Sequence, residues 1–475
     1  MGPKQHSFII ILLFIGTPLY EAVAQGTTQI AKMLLERGAD VNKTSPKTNE
    51  TALHKSVAMD YVGMTRLLVE AGAETSIKMK SNLYTPLCVA VENKNKNCMQ
   101  YLLNLPNVEI DVVTRDRRTP LGIAAQIDNV EIMKFLIQAG ADINYLNSSE
   151  HEDDNNSDEN TNSDESDDNI NNNDNSDDDN NDNDGCVNSS LGRKYTSLTP
   201  LMLAAKYGHR RGVELLLQKG ASPHLQNEDG NTALHYAVFD DPPGSKDELK
   251  ITKICSFLLR GRASPNVKNN HGVSPFYYAV RRRMIFILEP FLASGADANA
   301  GNEDESSALH FLADYAPSYK MLAKYRADVN KQNAEGRSPV HVAAASYDIT
   351  EKDLEMLFQE FESSMVSDDT THINYDGELP VHAAKKMEVL EFFRRYNEAD
   401  LASTTWSGDS LLHCMIKNRF PANDVKKALK WKCFDTSAVN SDGHTALKLS
   451  KLMLNSEVFR VLDEDKREKE GSLNR

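Results

Sequence analysis

TPLGIAAQIDNVEIMKFLIQAGADIN, residues 119–144, reads as two short helices and the turns that bound them. Thr119 offers an oxygen to an orphan N–H at a helix start, and Pro120 stands at the first helical position, where its missing donor costs nothing. The Leu and Ala residues that follow bury one face of that helix. From Val130 to Gln138, Ile, Phe and Leu recur at helical spacing, and Gly140 with Ala141 ends the second helix through a left-handed cap.

The same stretch recurs along the chain. Its opening, Thr/Ser-(Pro/Ala)-Leu-His-x-Ala, starts at Thr17, Thr51, Thr85, Thr119, Thr199 and Thr232, with weaker copies at Ser274, Ser307, Ser338, Leu379, Ser410 and Thr445. Its close, Gly-Ala-Asp-x-Asn, is near-complete at Gly38–Asn42, Gly140–Asn144 and Gly295–Asn299. A period of about 33 residues marks a solenoid, in which a single unit buries too little apolar surface to stand alone and is stable only when stacked on neighbours.

These paired motifs resemble the ankyrin-repeat family from about Thr17 to Leu462. The fold expected is therefore an all-α solenoid of about 12 helix–turn–helix units. Residues 1–16 form an apolar extension, 17–145 hold repeats 1–4, 146–192 an insert, and 193–475 repeats 5–12, the last of them degenerate and charged as a solvent-facing cap requires.

Three departures from the period are informative. Glu150 to Asp184 carries 16 acids and no Lys or Arg, a composition that forms no core and reads as a disordered loop. Asp240 to Lys250, with Pro242, Pro243 and Gly244, reads as a surface loop. A third insertion surrounds Ser363 to Thr371, and Pro290 is expected to kink the second helix of the Ser274 unit.

The net charge of −16 arises within the acidic insert, because outside it the acids equal the 53 Lys and Arg. The body thus gives no electrostatic case for nucleic acid or a membrane surface. Phe8 to Ile15 is too short to span a bilayer. Followed by Ala22-Val23-Ala24 it looks like a secretory signal, but cleavage there would remove most of the first repeat helix, so it reads as an extension. Cytoplasmic or nuclear location is the expectation and secretion the alternative. The six cysteines show no CxxC pair and read as isolated reduced thiols.

His54, His235, His310, His341, His382 and His413 all occupy one register position, one per repeat, too far apart to share a metal; they are assigned structural hydrogen bonds. The insert approaches a calcium loop at Asn180, Asp182, Asp184 and Gly185, but Leu191 replaces the closing carboxylate. No catalytic motif, cofactor site or metal site is read. The resemblance implies a monomeric adaptor or scaffold that holds another protein on a concave face built from turn tips and first-helix edges. Projected onto this chain, that face comprises Tyr84, Arg118, Tyr195, Lys206, Tyr207, Phe239, Arg281, Arg282, Tyr315 and Trp406, of aromatic and cationic types that dominate interface energies. The acidic insert, facing Arg281 to Arg283, is expected to compete for that face or merely to solubilise the chain.

Overall fold

A computed structural model describes residues 17–146, 196–239, 248–302, 304–361 and 373–473. The insert, Tyr195, and the calcium-like loop lie outside these residues. The chain divides into two compact units, residues 1–246 with 269–271, and residues 247–268 with 272–475. Among the described residues the first unit holds five helix pairs and the first helix of a sixth, and the second unit holds that pair's second helix and six further pairs. All named elements are helical, joined by turns with two isolated bridges.

Each pair follows the sequence logic. In the Thr119 unit, Thr119 accepts from the Gly122 N–H at 3.2 Å, the first helix runs Pro120–Gln126, the second Val130–Gln138, and Gly140 takes φ +98° to end it. Leu121, Ile123, Ala124 and Ala125 of the first helix and Ile132, Met133 and Leu136 of the second are buried. First helices pack on first helices along each unit, and second on second.

Stacking continues across the insert within the first unit. The helix Pro120–Gln126 packs on Pro200–Lys206, so closely that a Cβ at Gly122 would lie 3.1 Å from Cδ1 of Leu203. Here too the Asn of the Gly-Ala-Asp-x-Asn motif shows its purpose: Asn144 Oδ1 accepts from the Ser222 N–H at 2.7 Å. Asn42 accepts from the Glu74 N–H at 2.8 Å, and Asn299 accepts from the Asp328 N–H at 2.7 Å. The motif's asparagine is thus a bridge to the next repeat, satisfying backbone groups at a turn that no helix can satisfy.

The turn tips are also laddered. The Tyr375 N–H donates to the Glu335 carbonyl at 3.2 Å, the Trp406 N–H to Asp376 at 3.1 Å, and the Ser441 N–H to Ser407 at 2.8 Å. Within each tip the opening side chain helps to close the turn, as where Asn374 Oδ1 accepts from the Asp376 and Glu378 N–H groups at 2.9 and 2.8 Å.

One boundary is revised. Glu248 to Lys250 belong to the helix Glu248–Arg260, whose buried face is formed by Ile251, Ile254, Cys255, Leu258 and Leu259; residues 240–247 lie outside the described residues. Pro290 lies inside the helix Ile285–Ala293, where it removes one intrahelical donor, and Ile287, Leu288, Phe291 and Leu292 of that helix are buried.

Candidate protein-binding face

The histidines are spent on structure. In the Thr51 unit, the backbone N–H of Thr51 donates to His54 Nδ1 at 3.2 Å, which leaves Nε2 protonated to donate to the Tyr84 carbonyl of the next repeat at 3.1 Å. His310, His341 and His413 repeat this clamp, donating to Arg337, Glu378 and His444 carbonyls at 2.9 Å each, and His382 donates to Ser403 at 3.3 Å. One imidazole therefore caps its own helix and ties down its neighbour. Leu379 shows how much of the cap is the histidine's: it has no hydroxyl, yet its N–H still donates to His382 Nδ1 at 3.0 Å. Burial holds His54 at about 4, against hydrogen bonds to the Tyr84 and Ile77 carbonyls that favour the charged form, and lowers His310 and His382 likewise. A neutral, doubly bonded ring has no lone pair left for a substrate or an ion. Burial also pushes the Cys98 thiol up to about 11 and Cys414 to about 12, far from a nucleophilic thiolate. Among the described residues no three His, Cys, Asp or Glu gather as a metal site, and no helix is long and apolar enough to cross a membrane.

In the first unit, the sequence-derived face resolves into a connected row. Arg118 is half-buried; it pairs with Asp116, donates to Gln126, and reaches the Tyr84 hydroxyl at 3.2 Å. Gln126 Nε2 donates to the Tyr207 hydroxyl at 3.2 Å, and Tyr207 stacks on His209 with centroids 6.1 Å apart. Lys206 is exposed, with its ammonium 5.8 Å from the Tyr236 ring centre. Phe239, half-buried, closes the helix Ala233–Val238. The expectation for Tyr84 is corrected: at 5% exposure it belongs to the core. Tyr84 reaches the surface only by holding Arg118 and Glu92 through its hydroxyl.

In the second unit, the Arg282 guanidinium lies 5.8 Å from the Tyr278 ring centre and Arg281 is half-buried. Arg283, which the sequence grouped with them, donates from Nη2 to both carboxylate oxygens of Asp314 at 2.9 and 3.0 Å, so its charge is already matched within the fold. Tyr315 is at the margin of exposure, and Trp406 is 70% exposed. Sequence reasoning missed Gln126, the link between Arg118 and Tyr207, and Tyr375, a tip aromatic 62% exposed. Tyr375 was visible in principle, since it stands one repeat before Trp406 at the same place in the turn.

The profile of the family described as ankyrin repeats (3 copies) matches residues 9–79, 74–147, 177–269 and 201–302, more than half of the chain. The chain belongs to the ankyrin-repeat family, a family of protein-interaction scaffolds. It is 27% identical over 278 residues to the Ankyrin repeat and KH domain-containing protein mask-1 of Caenorhabditis elegans, covering 58% of this chain and 8% of that protein. It is 26% identical over 300 residues to the B-cell lymphoma 3 protein homolog of Mus musculus, covering 61% and 53%. The chain thus spans about half or less of the length of these relatives. The solved ankyrin repeat domain of Bcl-3 is similar with a TM-score of 0.42 and 23% identity, over 58% of this chain and 98% of that one.

Proposed function

We propose that this chain is a monomeric, non-catalytic scaffold that binds another protein on the turn tips and first-helix edges of its repeats. The observation that carries this reading is the exposure, at positions the fold leaves free, of Lys206, Tyr207, Tyr315 and Trp406. Large aromatic and cationic side chains in such places expose surface that a stable repeat does not need, and they are the types on which interface energy concentrates. Arg282 adds a cation already oriented by Tyr278, so ordering it on binding costs little.

Cytoplasmic or nuclear location is part of the proposal. Four of the five described cysteines are buried and none of the five is in a disulfide, which suits a reducing compartment. The test is a double substitution, Lys206→Ala with Tyr207→Ala, measured against a partner isolated with the full chain. Affinity is expected to fall about tenfold or more, with the melting temperature unchanged, as for a hot-spot pair. Unchanged affinity would remove this face from the proposal.

A further inference from the structure

Among the described turn tips, the residue at one position varies widely in chemistry without disturbing the turn. At the second position of the tip, Arg115, Asn270, Ala334 and Ser441 each donate their N–H to a carbonyl of the preceding tip, so the same backbone ladder forms with side chains of very different kinds. In the Leu379 and Ser410 units this position holds Tyr375 and Trp406, which are 62% and 70% exposed. The turn does not require them, and burial does not explain them. Each lies over the glycine of the preceding tip: a Cβ at Gly336 would meet Cδ1 of Tyr375 at 2.7 Å, and one at Gly377 would overlap the Trp406 indole. Each ring thus lies against a neighbouring tip while much of it stays open to solvent.

Between them lies a pocket of about 450 Å³ whose polar wall includes Asp376, Glu378, Asp409 and Lys417. Three carboxylates against one ammonium leave two negative charges. Asp409 is already engaged by Lys417, by Asn440 Nδ2 at 2.9 Å and by the Ser407 hydroxyl at 2.8 Å. Glu378 accepts from Asn374 Nδ2 at 2.9 Å and keeps further acceptor capacity. Asp376 is exposed at the tip between the two aromatic positions. His382, at the pocket's floor, contributes no positive charge, because its buried ring is neutral and donates to the Ser403 carbonyl.

We infer that this pocket receives the side chain of a lysine or arginine from a partner polypeptide, its cation lying against the Tyr375 and Trp406 rings and neutralised by Asp376 and Glu378. An aromatic face attracts a cation through its quadrupole, and a carboxylate beside it supplies the charge-assisted hydrogen bond that a neutral apolar side chain would not repay. Anionic side chains are repelled by the net charge, and a purely apolar one would strip the carboxylates of water without compensation. The inference rests on the proposed protein-binding face and names what one end of it recognises.

The two tryptophans of the chain make the test direct. Trp431 already carries the Arg394 guanidinium 4.9 Å from its ring centre and serves as an internal reference. With indole-¹⁵N-labelled full-length protein, acetyl-Gly-Arg-Gly-amide and acetyl-Gly-Lys-Gly-amide are expected to shift the Trp406 N–H signal saturably and to leave Trp431 unmoved. Tyr375→Leu should weaken the apparent affinity roughly two- to fivefold, the size of an exposed cation–π contact, and Asp376→Asn should weaken it comparably. Equal shifts from the norleucine or glutamate peptide, or no saturable shift, would overturn the inference. A photo-crosslinker at position 406 separates the two levels. Crosslinking to a protein without a response to the basic peptides leaves the face standing and removes the pocket. A peptide response without protein crosslinking keeps the pocket and removes the face.

Discussion

Acid should loosen the first unit through His54, and the amount can be worked out. Its ring is fully buried, accepts from the Thr51 N–H through Nδ1 and donates to the Tyr84 carbonyl through Nε2. Adding a proton to Nδ1 would break the first bond and place a charge in the core. Burial accordingly holds the group at about 4, against an ordinary 6.5. The unfolded chain binds this proton more readily than the folded one, so the contribution to stability is complete above pH 6.5 and declines as pH falls toward 4. By linkage, the loss from this one residue between pH 7 and pH 5.5 is about 1.2 kcal/mol, rising to about 2.4 kcal/mol at pH 4.5. The comparison protein is His54→Gln, since a glutamine three residues into the helix can still accept from the capping residue's N–H but does not titrate. It gives up the bond to Tyr84, which lowers stability by roughly 1–3 kcal/mol at pH 7. Its urea-unfolding free energy should nonetheless fall less between pH 7 and 5.5 than that of the parent, by about 1.2 kcal/mol. Carbon-13 titration of the histidine rings reads the same quantity in the folded state. A His54 midpoint near 6.5 in the folded protein, or identical pH slopes in the two proteins, would refute the clamp as drawn.

Other outcomes follow from the packing. Leu203→Ala, which empties a buried site against Gly122, should lower stability by about 2–5 kcal/mol in denaturant unfolding, and a loss under 1 kcal/mol would deny close stacking across the insert. Deleting residues 148–188 should change stability by no more than about 1–2 kcal/mol, because closure entropy depends only logarithmically on length; a larger loss in a thermal or urea melt would show that the insert contributes packing. Thr199→Ala removes the acceptor 3.1 Å from the Met202 N–H and should cost about 1 kcal/mol by the same assay. Toward a thiol reagent under native conditions, Cys433 should react ahead of Cys88, Cys98, Cys255 and Cys414, since it alone among the described cysteines is not buried.

The fold was legible because each repeat writes its own hydrogen bonds into the sequence. Thr119 and Pro120 announce a helix start, Gly140 its end, and His54 stands where its ring reaches both its own cap and the next repeat. The asparagine closing each motif was read as pattern only; its bond to the following repeat, as from Asn144 to Ser222, is a tertiary contact that spacing does not disclose. The candidate face was read less well. Tyr84 and Arg118 occupy the same register position, yet one is buried and the other half-exposed, because side-chain length and the acceptors Asp116 and Gln126 decide which reaches solvent. Arg283 looked like a free cation beside Arg281 and Arg282, and only three-dimensional contact places it on Asp314. Tyr375 is legible only by register, since it stands one repeat before Trp406 at the same place in the turn.

The central claim is that partners are held on tips and first helices and not on the outward second helices. A photo-crosslinking residue placed in turn at Tyr207, Tyr315 and Trp406, and at the exposed second-helix positions Glu131 and Glu289, tests it in one series within cells. The account predicts that the first three positions give an adduct with a common protein and that the last two give none. Adducts of equal yield from Glu131 and Glu289, or from those positions alone, would contradict it.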